Sequence, residues 1–155
     1  MSLLALSLNN LPYIGSNLID LRYSYSYEEV ALLIHGYGIL GRYIYFLSSL
    51  ILDSLFPFFY VSFFGCIILL LIKSYQKIEY FILAPFLTGV IDILENIQIM
   101  KLLFLYPEIS HSSVVLSSYT TMLKHNFVWL QFIVLFISMC VGIYSYIVRR
   151  KSILY

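Results

Sequence analysis

The chain has 155 residues, 61% hydrophobic and 11% charged, with a formal net charge of +1. A soluble domain carries about 25% charged residues, so the composition excludes an ordinary water-soluble globule and predicts an all-α integral membrane helical bundle. The length suits a single membrane domain over residues 1–155 with no separate soluble domain. The scattered basic residues exclude a nucleic-acid-binding stripe.

Met1–Leu8 is apolar but soon meets Asn9, Asn10 and Pro12. No basic region precedes it, which makes a poor secretory signal, and eight apolar residues are too few for a span of about 20. Residues 1–22 are therefore expected to lie in the membrane interface, to cross as a marginal fourth span, or to be part of a longer helix.

Ser26 and Glu29 have the spacing of a capping box and predict a helix start. Residues 26–40 are expected to form an amphipathic interfacial helix, with Tyr23, Tyr25 and Tyr27 at headgroup level and a bend among Gly36, Gly38 and Gly41. The first firm transmembrane helix is expected over 42–72. At roughly 45 Å it exceeds the ~30 Å hydrocarbon core, so it must tilt or protrude, and Pro57 offers a kink.

Lys73–Glu79 is a short polar connection. The second span covers 80–105, with Pro85 near its start. Tyr106–Ser113 is a loop, and the third span covers 114–148, ending in Arg149, Arg150 and Lys151. Lys73, Lys77 and this basic end share one side. The positive-inside rule therefore predicts that residues 73–79 and the C-terminus are cytoplasmic, in the cell membrane. Asp20, Glu28, Glu29 and Glu108 would then face outward.

Cys66 and Cys140 both sit in apolar spans without metal-ligand spacing, as small packing residues do. No cofactor motif is present and no cofactor is expected. The outer placement of His35 and His111 argues against a haem site, and His125 points about 100° away from Lys124.

Ionisable groups inside a bilayer mark the site to examine. Asp53, Glu95 and Lys124 each lie roughly 15 Å along their helices from the same side, with Asp92 one turn deeper. Helical phase agrees. Thr88, Asp92, Glu95 and Asn96 share one face of the second span, and Arg42, Tyr45, Ser49 and Asp53 share one face of the first. Ser117, Lys124, Gln131, Ser138 and Ser145 recur every seven residues along the third, as in packed membrane helices with small and polar seams. The candidate cluster is therefore Asp53, Asp92, Glu95, Asn96 and Lys124, with Arg42 at its mouth.

The cluster has two chemical readings. In the first, Lys124 and Arg42 neutralise carboxylates and Asn96, Ser49 and Thr120 fill the remaining bonds, which fixes helix register at little net gain in stability. In the second, Asp92 and Glu95, joined by Asp53, hold a hard cation, carry protons or act as a general base on a lipid headgroup. A metal is neither specified nor excluded by these residue types.

Gly38-x-x-Gly41-Arg42-x-x-Tyr45, Asp53-x-x-Phe56-Pro57, Asp92-x-x-Glu95-Asn96 and Thr121-x-x-Lys124 together resemble a group of small polytopic membrane proteins of about four spans. The likeness covers about Asp20 to Lys124. It implies a short or truncated first helix and carries no activity. The Asn-x-x-Asp-Arg setting of lipoprotein signal peptidases and the Arg-x-x-x-Asn-x-x-Glu pattern of glutathione-linked membrane transferases are absent, as is the longer aspartate motif of the CDP-alcohol transferases.

The leading expectation is a non-enzymatic membrane component with a structural or ligand-binding polar core. One alternative is an intramembrane lipid-active enzyme using the carboxylates as general base or metal ligands, and another is a proton or ion pathway subunit. The sequence leaves the enzyme question open. Membrane lipids are the expected partners, and so few spans suit a homo-oligomer or a membrane-protein partner.

Overall fold

The computed structural model describes residues 17–72 and 80–153, and among them every regular element is helical. A 3-10 turn at Ile19–Leu21 leads to α1 (Tyr27–Ser48), a π-helical turn (Ser49–Asp53) and α2 (Ser54–Ile72). These are followed by α3 (Leu83–Leu105) and α4 (His111–Ile153). Three stretches, Tyr27–Leu71, Tyr80–Leu105 and His111–Val148, are long and apolar enough to cross a membrane. The segment 1–16 and the Lys73–Glu79 connection lie outside the described residues, as do the side chains of Arg149, Arg150 and Lys151.

Each helix boundary has a local cause. Ser26 caps α1 with a complete capping box: its N–H donates to Glu29 Oε2 at 2.7 Å, and the Glu29 N–H donates to Ser26 Oγ at 3.2 Å. Two first-turn carboxylates, Glu28 and Glu29, also oppose the positive end of the helix dipole. Of the three glycines expected to bend this region, Gly38 breaks the helix, with φ 65° and ψ −178°. That backbone region is essentially open to glycine alone. The helix resumes at once, so the division falls at Gly38 rather than between residues 40 and 42.

Pro57 lies inside α2. Its ring crowds the carbonyl four residues earlier and its nitrogen donates nothing. The π-helical turn stands directly upstream, where it opens the ladder ahead of the ring. Ser54 Oγ donates to the Ser49 carbonyl at 2.8 Å and so occupies one acceptor of that turn. Pro85 costs α3 nothing, because first-turn N–H groups have no partner within the helix. α4 begins at His111, before the expected residue 114, because Ser110 Oγ accepts the Ser113 N–H at 3.2 Å as an N-cap.

The chain forms two compact units. The first joins the described residues up to Phe56 with Ile91–His125. Its core is built on Val30, Ile34 and Tyr37 with Ile99, Leu102 and Val114, all almost wholly buried. The second joins Pro57–Val90 with the residues from Asn126 onward. There Gly89 sits against Val61 and Pro57, Gly142 against Leu71, and Phe64 meets Phe132 edge-on at 6.2 Å. Thr88 Oγ1 donates to Ala84 O at 2.9 Å, with the Phe127 carbonyl at 3.3 Å. Along α4, Ser117, Gln131, Ser138 and Ser145 of the seven-residue seam are buried and Lys124 is half-buried.

Candidate functional site

The candidate site lies wholly within the first unit. On α3, Asp92 and Glu95 are three residues apart and so point the same way. On α4, Thr121 and Lys124 repeat that spacing. The Lys124 amine forms an ion pair with Glu95 Oε2 and lies 3.8 Å from Asp92 Oδ1. It also donates to the backbone carbonyl of Asp20 at 3.3 Å. An ammonium has three N–H donors, and three acceptors surround this one.

Burial ranks the partners. The Glu95 side chain is 0% exposed, against 17% for Asp92 and 15% for Lys124, so Lys124–Glu95 is the desolvated pair. Tyr25 and Thr121 pack beside it, with the Tyr25 hydroxyl 2.7 Å from Ser117 Oγ and 3.2 Å from Thr121 Oγ1. Glu95 Oε1 has no well-aligned donor among the described residues.

Asp53 and Asn96 form a second, adjoining arrangement. Asn96 Nδ2 donates to the Asp53 backbone carbonyl at 2.9 Å, and the Asp53 carboxylate faces the Ser49 hydroxyl. Among the described residues, Lys124 forms ion pairs with Asp92 and Glu95, and Asp53 is not a third partner. No three His, Cys, Asp or Glu side chains among the described residues are grouped to hold a metal ion.

Arg42 has a different neighbour from the one expected. Its guanidinium lies 4.7 Å from the centre of the Tyr106 ring, whose hydroxyl is 3.1 Å from His35 Nδ1. It therefore caps an aromatic and imidazole pair, a cation–π arrangement rather than a second counter-ion for the carboxylates. His125 Nδ1 meets the Thr121 carbonyl at 2.9 Å, and His111 stacks on Tyr27 at 5.8 Å.

Two participants were not singled out from the sequence. Asp20, expected among the outward charges, is half-buried, and Tyr45 donates to its Oδ1 at 2.6 Å. The Tyr45 hydroxyl in turn lies 3.2 Å from the Ile19 N–H and 3.4 Å from the Asp20 N–H. The available signal was an acid flanked by Ile19 and Leu21 in an otherwise apolar run. Tyr45, one helical turn before Ser49, was legible as a face residue but not as the anchor of another segment. No protein-family model, curated protein or solved structure matches the chain.

Proposed function

We propose that the chain is an integral membrane protein whose polar core is structural and non-catalytic, and that it locks the register of α3 against α4. The observation that carries this reading is the arrangement around Lys124: its amine pairs with Glu95 on α3, lies 3.8 Å from Asp92 on the same helix, and donates to the Asp20 carbonyl of the Ile19–Leu21 turn. Bonds of that kind tolerate little sliding. Outward-facing aromatic residues such as Phe58, Phe59, Trp129 and Phe136 support burial in lipid. The distribution of basic residues supports a cell-membrane protein with residues 73–79 and the C-terminus on the cytoplasmic side.

The test is a double-mutant cycle on the detergent-solubilised protein. Glu95→Gln and Lys124→Met are each expected to lower stability by about 3 kcal/mol, because each leaves a buried partner uncompensated. The double replacement should cost less than the sum. Strict additivity would overturn the register lock. Undiminished stability in Glu95→Gln with lost turnover of a labelled lipid extract would favour the enzyme alternative. Undiminished stability with lost proton flux in vesicles would favour the ion pathway.

A further inference from the structure

The segment before α1 is irregular apart from its 3-10 turn, yet Ile19 is fully buried and Tyr25 nearly so. Its anchors are spread along two helices. Nearest the start of α4, the Tyr25 N–H donates to Ser118 Oγ at 3.0 Å, and the Tyr25 hydroxyl meets Ser117 and Thr121. Six residues further along α4, about 9 Å, Lys124 donates to the Asp20 carbonyl. On α1, the Tyr45 hydroxyl engages Ile19 and Asp20, and Tyr37 donates to the Asn17 carbonyl at 2.5 Å. Traced back from Ser26, the chain descends beside α4 instead of lying across the helix ends.

Irregular backbone at membrane depth persists only where protein groups satisfy it. Here Tyr37, Tyr45, Ser118 and Lys124 do so. All four act through side chains, so no continuous backbone ladder ties the segment down. Segments held by a few such bonds open at less than the global unfolding free energy.

We propose that Ile19–Tyr25 is a re-entrant strap that closes the Lys124–Glu95 site, with Tyr45 as its latch. When the strap is down, Glu95 is sealed, Lys124 donates to the Asp20 carbonyl, and Tyr25 covers Thr121. Loss of the Tyr45 hydroxyl leaves the Asp20 carboxylate and two N–H groups without that partner, and the strap lifts as a unit. The proposal rests on the membrane reading above but not on the register lock. An additive Glu95/Lys124 cycle would remove the lock and leave the strap standing.

The reporter is Thr121→Cys, a conservative change at a fully buried position. The protein is reconstituted in phosphatidylcholine vesicles and labelled with a membrane-impermeant maleimide, and the chain without this cysteine gives the background from Cys66 and Cys140. Thr121→Cys should be protected relative to Glu108→Cys, an exposed position outside the spans, and adding Tyr45→Phe should raise its labelling rate about tenfold. Equal rates with and without Tyr45→Phe would overturn the latch, and labelling of Thr121→Cys as fast as Glu108→Cys would overturn the strap. Hydrogen exchange on the unsubstituted protein provides a check that needs no variant. The amides of residues 19–25 should exchange together and faster than those of Val30–Tyr37, and equal protection would sink the proposal.

Discussion

Asn96 stands in for the backbone donor that Pro57 lacks. In an uninterrupted helix the N–H of residue 57 would bond to the carbonyl of Asp53, four residues earlier. Proline has no N–H, and Asn96 Nδ2 donates to that carbonyl at 2.9 Å. The Asp53-x-x-Phe56-Pro57 and Asp92-x-x-Glu95-Asn96 elements are thereby connected by one repair of the helix, and Asn96 serves the backbone of Asp53 rather than its charge.

The repair predicts a specific rescue. Asn96→Leu should destabilise the detergent-solubilised protein by about 1–3 kcal/mol, because it removes the side-chain donor to the part-buried Asp53 carbonyl. Adding Pro57→Ala restores an N–H to the helix and should recover most of the loss. Thermal unfolding of the single and double variants measures both effects. A double variant no more stable than Asn96→Leu alone would show that the amide does not replace the missing donor.

Three glycines separate backbone strain from crowding. A Cβ at Gly89 would lie 2.5 Å from Val61 Cγ2, on a short branched side chain with little room to retreat. At Gly65 the nearest atom is Ile82 Cγ1 at 3.7 Å, an ordinary contact. Gly89→Ala should therefore cost about 1–3 kcal/mol in thermal unfolding, whereas Gly65→Ala should change little. Gly38→Ala should cost a similar amount to Gly89→Ala through its positive φ. Equal, negligible losses at Gly89 and Gly65 would rule out the tight approach.

The legible part of the site was the part built on long regular helices. Equal distance from helix ends and a shared helical phase suffice to bring Glu95, Asp92 and Lys124 together, and the same periodicity marks the buried seam on α4. The entry segment was opaque for the opposite reason. Residues 17–25 have almost no periodic structure, so nothing in their spacing predicts that Asp20 turns back to meet Lys124. Arg42 shares the face of Tyr45 and Ser49, but it lies inside α1 one turn after the Gly38 break, and its long side chain takes its partner from the turn that follows α3, here Tyr106. The role of Asn96 was recoverable in principle from the four-residue step between Asp53 and Pro57. It was hidden because an amide among carboxylates reads first as a partner for their charges.

Tyr25 gives the strap a dependence on pH. Burial pushes its phenol above the ordinary value of about 10. The hydrogen bonds with Ser117 and Thr121 oppose the rise, and the neighbouring Glu95 and Asp20 charges add to it. A displaced or unfolded Tyr25 ionises near pH 10, whereas the packed phenol keeps its proton to higher pH. Its stabilising contribution is thus fully present below about pH 10 and is lost as pH rises through the folded value. Tyr25→Phe should be less stable than the parent by about 1–2 kcal/mol at neutral pH, since two hydroxyl bonds disappear. Its stability should then fall less steeply between about pH 9 and 11. Thermal unfolding of both proteins across that range decides the matter. Parallel curves would mean that Tyr25 ionisation is not linked to folding, and a shallower curve for Tyr25→Phe would place the phenol in a water-poor setting against α4.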